Sequence, residues 1–252
     1  MSIIIPSWND PRIVQAIQSV RRFDDIGAVK LVIIDGGSGQ AVVDLLRAAV
    51  RPGDILVSEP DKGIFDGLNK GLERVDTEFL GWLGSDDLFT GQVKASDVIR
   101  ALERADIFVC GLAMFRGQQV RRLFKARVVG WGLVRYGLHN PHYSTFGRSA
   151  LLAAHRFPLS HKGSDIEYFL DVFSTNPRVK TTTRIGVAMR EGGFSTRSRQ
   201  RILEINGTLF AVYRGRVGVI GAAIALVLKL GWKIVGRAEA AVRPQSLAEL
   251  MA

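Results

Sequence analysis

The chain has 252 residues, of which 47% are hydrophobic and 23% are charged, a composition that supports a buried core and excludes an intrinsically disordered chain. Its single cysteine excludes an internal disulfide framework and a cysteine-based zinc site. The net charge of +10 is unevenly divided, with a balance of −4 over residues 1–120 and +14 over residues 121–252. We therefore expect the second half to meet an anionic partner: nucleic acid, an anionic membrane or a phosphate-bearing substrate.

The first ninety residues alternate short apolar strands with helices. Apolar runs predict four strands, at residues 3–5, 31–34, 55–57 and 79–83. Helical spacing predicts three helices, at residues 11–22, 41–50 and 64–74. Pro6 is expected to end the first strand, and Asp10 is expected to cap the first helix. This alternation predicts an α/β fold, with a mostly parallel sheet covered by helices on both faces.

Beyond residue 90 the pattern is less regular. The sequence predicts a helix, a buried strand, a basic hairpin and a second helix, at residues 93–103, 107–115, 116–129 and 165–173. Ser164 is the expected cap of that second helix. From about residue 200 the chain becomes helical and basic. We therefore expect an α/β domain over residues 1–200 and a helical, basic-amphipathic tail over residues 201–252.

Polar side chains follow each of the four strands predicted in the first half. In chain order they are Ser7 and Asn9, then Asp35, then Glu59 and Asp61, then Ser85 with Asp86 and Asp87. In open parallel sheets the ligand crevice lies beyond the carboxyl ends of the strands. The sequence therefore predicts a binding site at that edge of the sheet.

The Asp86–Asp87 pair is the first candidate for chemistry. Adjacent carboxylates in a loop suit Mg²⁺ or Mn²⁺, which prefers oxygen ligands and keeps positions open for phosphate oxygens. A helix cap or a solvated turn would give the same pair, but Asp35 and Asp61 end neighbouring strands, and grouped carboxylates repel one another without a cation or ligand among them. The loop at residues 36–39, Gly-Gly-Ser-Gly, matches neither the dinucleotide fingerprint nor the P-loop, which argues against a dinucleotide oxidoreductase and a P-loop ATPase.

The tail has the pattern of a helix that lies in a membrane interface. Its longest uncharged stretch, residues 217–228, is 12 residues long, whereas a membrane-spanning helix needs about 20. Lys229, Lys233 and Arg237 recur four apart on one stripe, and the large apolar residues lie away from it. The alternative is a helix packed on the α/β domain or on a second copy of the chain in a homodimer.

Four segments together resemble glycosyltransferase family 2, of the short bacterial type associated with exopolysaccharide and colanic-acid-like assembly. They are residues 3–9, 32–38, 58–71 and 83–87, with weaker matches at 141–146, 164–167 and 192–195. The Glu-Pro-Asp-Lys-Gly-Ile segment at residues 59–64 is quite specific, and Ser-Asp-Asp follows it in register. The loop after Asp35 departs from the family's pattern. The resemblance covers roughly residues 1–196 and implies the GT-A fold.

The resemblance also implies a role for each matched residue. The nucleotide-sugar donor would be bound by Pro6, Asn9, Asp35, Asp61, Asn69, Lys70, Asp86 and His142. Asp87 would hold Mg²⁺ or Mn²⁺ on the donor diphosphate, and Asp165 would be the general base on the acceptor hydroxyl. The loop that closes over the site would contain Gly192, Gly193 and Ser195. Trp8, where the family has Tyr or Phe, is a tolerable exchange if it only packs.

The function so implied is transfer of a hexosyl group from a nucleotide-sugar donor to a saccharide or lipid-diphosphate-linked acceptor in cell-surface polysaccharide synthesis. One carboxylate base without a protein nucleophile implies a single displacement with inversion at the anomeric carbon. Residues 1–6 lack a basic leader, so the expected location is the cytoplasm, at the inner face of the plasma membrane.

Two other functions remain open at this point. A nucleotidyltransferase could use the same carboxylates, although the glycine- and lysine-rich loop expected near its first strand does not occur in residues 7–11. The isoelectric point of about 10.2 suggests a nucleic-acid-binding protein, but the basic residues are scattered without an aromatic-interleaved motif. We therefore expect no nucleic-acid partner.

Overall fold

The computed structural model describes residues 1–126, 142–159, 164–192, 199–242 and 246–252. The strands in these residues are β1 (Ser2–Ser7), β2 (Lys30–Asp35), β3 (Ile55–Ser58), β4 (Phe79–Trp82), β5 (Leu88–Phe89), β6 (Ile107–Arg116), β7 (Gln119–Phe124), β8 (Thr145–Arg148) and β9 (Val179–Arg190). The helices are α1 (Ile13–Phe23), α2 (Gln40–Ala49), α3 (Ile64–Leu72), α4 (Ala95–Leu102), α5 (Ser149–Leu152), α6 (Ser164–Ser174), α7 (Arg199–Val242) and α8 (Leu247–Met251), with a 3-10 turn at His142–Ser144.

The described strands form one sheet, and its first half is parallel as predicted. The strand order is β3-β2-β1-β4-β8-β6-β9-β5, and β7 pairs with β6 beside this path. β1 lies between β2 and β4 and is parallel to both, and β3 is parallel to β2. The apolar side chains of β1 and β2 are buried, since helices cover a parallel sheet on both faces. The predicted α/β fold class is confirmed.

The prediction that Pro6 ends the first strand is wrong. β1 continues through Pro6, which lies opposite Ile34, as far as Ser7. The pairing with β4 stops at Ile4, whose carbonyl accepts the Leu83 N–H at 3.0 Å. Because backbone groups alternate along a strand, the missing N–H of Pro6 lies on this same side, where the ladder has already ended.

Asp10 does not cap the first helix as predicted. α1 begins at Ile13, without a side-chain cap. The Asp10 carboxylate instead accepts the Arg12 backbone N–H at 3.0 Å and the Arg12 Nε at 2.7 Å. Ser85 Oγ also donates to Asp10 at 3.1 Å, so this carboxylate joins the loop after β1 to the loop after β4.

The second half of the sheet is mixed. β8 is antiparallel to β4 and β6, β9 is parallel to β6, and β5 is antiparallel to β9. β6 is buried except at its last residue, and β7 folds back on it as the predicted basic hairpin, of which residues 127–129 lie outside the described part. This arrangement brings Arg190, at the end of β9, beside the loop that follows β4.

Aromatic packing fixes α6 against the end of β4. The Trp82 ring meets the rings of Phe157, Tyr168 and Phe169 edge-on, with centroids 5.7, 5.9 and 6.2 Å apart. Edge-to-face pairs of this kind are favourable beyond the area they bury. The first turn of α6, where Asp165 lies, is therefore held beside the carboxyl end of the sheet.

The C-terminal helix α7 is bent once, at Gly218, whose φ of 73° and ψ of 177° are open to glycine but strained for residues with a Cβ. Before the bend, Leu209 and Tyr213 are fully buried in the main core. After it, the helix lies on β7, and a Cβ at Gly236 would collide with the Leu123 carbonyl oxygen. The region expected as a tail is therefore packed on the α/β domain along both of its halves.

The two faces of α7 after Gly218 are the reverse of those of an ordinary surface helix. The buried face carries Ala222, Ala225, Gly236 and Ala240, with Lys229 and Lys233 half-buried between them. The exposed face is apolar, formed by Val219, Ile220, Ile224, Val227, Leu230, Ile234 and Val235. The predicted basic stripe exists, but its two lysines face the domain rather than a lipid surface, because the small residues on their side allow the closest packing.

By length and composition, residues 203–241 form a helix that could cross a membrane, with a mean hydropathy of 1.8 over its best window, of which 17% is buried.

Candidate active site

The carboxyl edge of the parallel strands brings the predicted polar residues into one row. Ser7 lies opposite Asp35, and Asp35 lies opposite Ser58. The Gly36 N–H donates to the Ser7 carbonyl at 2.8 Å, and the Glu59 N–H donates to the Asp35 carbonyl at 3.0 Å. The loops that leave β1, β2 and β3 are thus joined at their first residues.

Asp35 is buried at the centre of this row and organises the surrounding loops. Its carboxylate accepts the Ser38 backbone N–H at 3.0 Å, the Ser58 hydroxyl at 2.7 Å, and the Ser38 hydroxyl. The Asn9 N–H donates to Ser38 Oγ at 2.7 Å, and Asn9 Oδ1 accepts the Gly39 N–H at 2.8 Å. Direct contact between Asp35 and a nucleotide stays a prediction, and it requires Ser38 to turn away.

Asp61 faces the same loop from the other side. Its Oδ1 accepts the Gly63 N–H at 2.8 Å, and burial raises the pKa of its carboxyl group. A Cβ at Gly36 would lie 2.6 Å from Asp61 Oδ2, so only a glycine fits beside the Asp61 carboxylate as it stands. Lys70 holds the loop that carries Asp61, because its Nζ lies 2.9 Å from both the Pro60 carbonyl and Glu59 Oε1.

Asn69, predicted beside the donor, holds a different segment. Its Nδ2 donates to the Phe157 carbonyl at 2.8 Å, and its Oδ1 accepts the Phe157 N–H at 2.8 Å. Both ends of the amide are therefore bonded to one residue. The structure gives Asn69 the task of tying α3 to the segment after α5, and its contact with the donor stays a prediction.

The two carboxylates after β4 have different surroundings. Asp87 is 2% exposed, and its Oδ1 accepts the Arg190 N–H at 2.9 Å. Burial, with the neighbouring Asp86 charge, raises the pKa of Asp87 to about 8. The Asp86 carboxylate is partly exposed and lies 3.4 Å from Arg12 Nη1. Burial also raises the pKa of Asp86.

The carboxylates of Asp86 and Asp87 suit a divalent cation that is bound together with a phosphate-bearing substrate. A cation favours the charged form of a carboxyl group, which burial and Asp86 disfavour at Asp87. Among the described residues, no three His, Cys, Asp or Glu side chains converge on one point. An ion on Asp87 would therefore take most of its ligands from water and from phosphate oxygens, as Mg²⁺ does beside nucleotide substrates.

Asp165 and His142 form a pair on the opposite wall. His142 Nδ1 lies 3.3 Å from Asp165 Oδ2, and Asp165 keeps 29% of its side-chain surface exposed. His142 Nε2 is buried without a hydrogen-bond partner in the described structure. The buried Tyr143 lies within electrostatic range of Asp86, Asp87 and Asp165, so these three carboxylates lie near one side chain. Burial is the main cause that raises the pKa of the Tyr143 hydroxyl.

Sequence reasoning missed three residues of this region. Arg12 pairs with Asp10 and Asp86. The Arg190 backbone N–H donates to Asp87 Oδ1, and Arg190 Nε donates to the Asp86 carbonyl. Trp8 is 69% exposed beside Asn9, so it does not meet the condition, packing alone, under which its exchange for Tyr or Phe is tolerable. An aromatic residue at a predicted strand end was a usable signal for Trp8, whereas Arg190 has no local signal.

Part of the predicted closing loop lies outside the description. Gly192 follows β9 with a φ of 96°, a conformation that favours glycine. Gly193 and Ser195 fall among the residues that the structure does not describe. Their role over the site stays a prediction.

Comparison with known proteins assigns this chain to a family. The model of glycosyl transferase family 2 matches residues 2–163. The chain belongs to glycosyltransferase family 2. The match covers every carboxylate discussed above except Asp165, which lies just beyond its end.

Two curated relatives of this family 2 chain come from Mycobacterium tuberculosis. An uncharacterized glycosyltransferase is 33% identical over 103 residues, which are 40% of this chain and 39% of that protein. A PGL/p-HBAD biosynthesis glycosyltransferase is 33% identical over 90 residues, 34% of this chain and 35% of that protein. The matches span about two fifths or less of the relatives' lengths. They do not test the resemblance to the colanic-acid type.

Solved structures share the fold of this family 2 chain. Staphylococcus aureus TarS 1–349 in complex with UDP-GlcNAc aligns with a TM-score of 0.66 and 15% identity, over 93% of this chain and 72% of that chain. Mannosyltransferase PcManGT from Pyrobaculum calidifontis, in complex with GDP-Man and Mn²⁺, aligns with a TM-score of 0.58 and 15% identity, over 96% and 75%. The GT-A fold predicted from the sequence is confirmed.

Proposed function

We propose that this protein is a metal-dependent, inverting glycosyltransferase that transfers a hexosyl group from a nucleotide-sugar donor. The observation that carries the proposal is that Asp86, Asp87 and Asp165 all lie within electrostatic range of the buried Tyr143, beside the carboxyl edge of the sheet. Membership of family 2 supports it. The neighbours of the same fold, solved with UDP-GlcNAc or with GDP-Man and Mn²⁺, support the donor class.

On the donor side, the row of Ser7, Asp35 and Ser58 holds the loops that would surround the nucleotide. Asp87 would hold a divalent ion, which supplies positive charge to the departing diphosphate. The Arg190 N–H orients the Asp87 carboxylate. Arg12 lies 3.4 Å from Asp86 and adds a second positive group at the mouth of the site.

On the acceptor side, Asp165 takes the proton of the attacking hydroxyl. His142 Nδ1 orients the Asp165 carboxylate at 3.3 Å, and the exposed part of Asp165 is open to an acceptor. The hydroxyl oxygen forms a bond to the anomeric carbon as the bond to the nucleotide diphosphate breaks. This single displacement uses one base and inverts the anomeric configuration.

The exposed apolar face of α7 supports a proposal for the acceptor and for the location of the protein. A helix that turns its apolar face to water and its lysines to the protein is unfavourable in aqueous solution alone. We propose that the exposed apolar face of α7 lies in the inner surface of the plasma membrane, and that the acceptor is a saccharide carried on a lipid for cell-surface polysaccharide synthesis. The nucleotidyltransferase and nucleic-acid-binding alternatives gain no support from the family or the neighbours.

The test is a panel of nucleotide sugars scored for nucleotide release with and without Mg²⁺ or Mn²⁺. We expect release from one donor class, dependent on the ion and lost in excess chelator. Asp87→Ala should lose transfer and the ion-dependent part of nucleotide binding, because the remaining carboxylate, Asp86, is turned toward Arg12. Full activity of Asp87→Ala, or of the wild type in chelator, contradicts the metal assignment.

A further inference from the structure

Where α7 packs on β7, four cations that the proposed chemistry does not use lie near one another; Arg237 is exposed and the other three are partly buried. Lys229 and Lys233 lie one turn apart, about 6 Å along the axis, and are half-buried against the domain. Lys233 lies within electrostatic range of Arg122 on β7 and of Arg237. These four side chains, Arg122, Lys229, Lys233 and Arg237, are here called the cationic cluster.

The cationic cluster is poorly neutralised by the protein itself. In the described part of the chain, Glu191 lies in range of Arg122 and Asp165 in range of Lys229, and no acid is among the charges that act on Lys233. The nearby Lys125 is held by Glu239 at 3.3 Å, whereas no ion pair with another described residue holds Lys229 or Lys233. Arg122 Nη1 donates to Met114 Sδ at 3.5 Å, but Arg122 Nε is buried without a hydrogen-bond partner among the described residues. Like charges brought together in a half-buried place are unfavourable unless an anion joins them.

One member of the cluster lies within electrostatic range of the proposed base, Asp165. Lys229 is in electrostatic range of Asp165. So is Tyr213, which is fully buried in the part of α7 before Gly218. The Tyr213 hydroxyl has no hydrogen-bond partner in the described structure. Burial, together with Lys233, lowers the pKa of Lys229 to about 8. Asp165 is therefore within electrostatic range of a buried hydroxyl and of a half-buried ammonium group, both on α7.

We propose that the cationic cluster binds the phosphate or diphosphate group of the acceptor, so that the acceptor sugar reaches Asp165. The inference rests on the proposed function, since it gives that acceptor an anionic anchor. Lys ammonium groups bind phosphate oxygens as point charges, and charge-assisted hydrogen bonds are stronger than neutral ones. The apolar face of the same helix favours a lipid-linked phosphate over a soluble one, because the lipid chain can lie beside that face.

The test measures binding, by calorimetry on the full chain, of farnesyl diphosphate, inorganic pyrophosphate and farnesol. The variant Lys229→Gln/Lys233→Gln removes both lysines, Lys229→Arg/Lys233→Arg keeps their charge, and Arg214→Gln removes an exposed cation of the same helix. We expect the wild type to bind farnesyl diphosphate most tightly. The double Gln variant should bind it at least tenfold more weakly, and the other two variants should bind it nearly as the wild type does.

Several results would overturn the proposal. An equal loss in Arg214→Gln would mean general attraction to a basic surface. An undiminished affinity in the double Gln variant, or equal binding of farnesol, would remove the phosphate from the explanation. Pyrophosphate binding as tight as that of farnesyl diphosphate would reject the lipid as the source. Thermal unfolding controls for misfolding, and we expect the double Gln variant to unfold no earlier than the wild type, since two repelling charges are gone.

Binding of UDP and GDP to the same proteins separates this inference from the proposed function. If the double Gln variant loses nucleotide affinity by the same factor as farnesyl diphosphate affinity, the cluster belongs to the donor and the proposal fails. If the wild type binds neither nucleotide but farnesyl diphosphate binding still depends on the two lysines, the proposed function fails and the anion site stands.

Discussion

Asp87 and Asp165 are both carboxylates of the site, but their surroundings suit them to different tasks. Asp87 is enclosed, its Oδ1 accepts a backbone N–H, and burial raises its pKa to about 8. A bound cation would therefore stabilise the charged form of Asp87. Asp165 remains partly exposed at the start of α6 and is oriented by His142. A general base must come within hydrogen-bonding distance of the hydroxyl proton that it removes, and the exposed part of Asp165 allows this.

For Asp165→Asn we predict a loss of turnover of about two to four orders of magnitude, the usual contribution of general-base catalysis. Donor affinity should hardly change, because the base acts on the acceptor. Single-turnover kinetics and nucleotide titration measure the two quantities. Asp171→Asn is the matched control, since Asp171 lies on the same helix and pairs with Arg216 at 2.6 Å. Collapse of donor binding in Asp165→Asn would instead make Asp165 part of the pocket wall.

Gly36 should not tolerate a side chain, because the Asp61 carboxylate lies beside it. Its Cβ would lie 2.6 Å from Asp61 Oδ2, so Gly36→Ala must displace the Asp61 carboxylate. We predict weaker nucleotide binding, by roughly tenfold or about 1.4 kcal/mol, measured by calorimetry. Gly39→Ala in the same loop is the control, because its Cβ would lie an ordinary 3.7 Å from Asn9 Oδ1. Equal affinities of the two variants would show that Asp61 does not contact the nucleotide.

At the scale of elements, one buried ion pair joins α1 to the parallel sheet. The Asp54 carboxylate pairs with Arg21 of α1 and accepts the Leu31 N–H at 2.9 Å and the Arg51 N–H at 2.8 Å. Asp54 is 4% exposed and Arg21 14%. Burial opposes the charge of Asp54, but Arg21 and the two backbone donors outweigh it and lower the pKa of Asp54.

We predict that Asp54→Asn lowers the free energy of unfolding by about 3 kcal/mol at pH 7, since one partner of a buried pair is removed. The folded pKa is lowered, so the wild-type advantage is complete above the unfolded value of about 3.9 and declines as the pH falls below it toward the folded value. Urea unfolding of both proteins between pH 7 and pH 3 measures this. A difference that stays constant over that range would contradict the ion-pair explanation.

The control for this pair is Asp44→Asn on α2. Asp44 lies 3.5 Å from Arg47, but both side chains are more than half exposed, at 61% and 65%. Exposed pairs contribute little, so we expect a change within about 0.5 kcal/mol at every pH.

At the scale of the whole molecule, the position of α7 decides how the protein meets a membrane. Ile220 and Val227 are 79% and 69% exposed on its apolar face. We predict that the full chain floats with vesicles of zwitterionic lipid and resists salt, because apolar burial rather than Lys229 or Lys233 supplies the binding. Ile220→Asp/Val227→Asp should remain at the bottom of the gradient.

Ile26→Asp/Leu45→Asp is the matched control for the flotation experiment, since both residues are exposed but lie elsewhere, at 54% and 42%. It should float like the wild type. If the wild type stays at the bottom and instead elutes as a dimer in gel filtration, the apolar face is an interface between copies. Surface variants are preferable to truncation after Arg199, because Leu209 and Tyr213 belong to the main core.

The sequence predicted those parts of the molecule whose signals are local. The apolar runs of β1, β2 and β4 and the polar residues that end them lie within a few positions of each other, so strand ends and the site edge were readable. The Arg190 contact with Asp87 spans 103 residues and has no local signal. Periodicity defined the two faces of α7 but not which one meets the domain, because that choice depends on the approach of Gly236 to β7.

The backbone conformation of Gly218 limits which mutations this position tolerates. The 24 residues that follow it in α7 extend about 36 Å, so a small change of direction at the bend moves the far end of the helix a long way from β7. Every missense mutation that alters one base of a glycine codon introduces a residue with a Cβ, and a φ of 73° with a ψ of 177° is strained for all of them. Position 218 should therefore stay glycine in any lineage that needs this helix on this domain, even though a Cβ there would meet no atom of another segment within 4 Å.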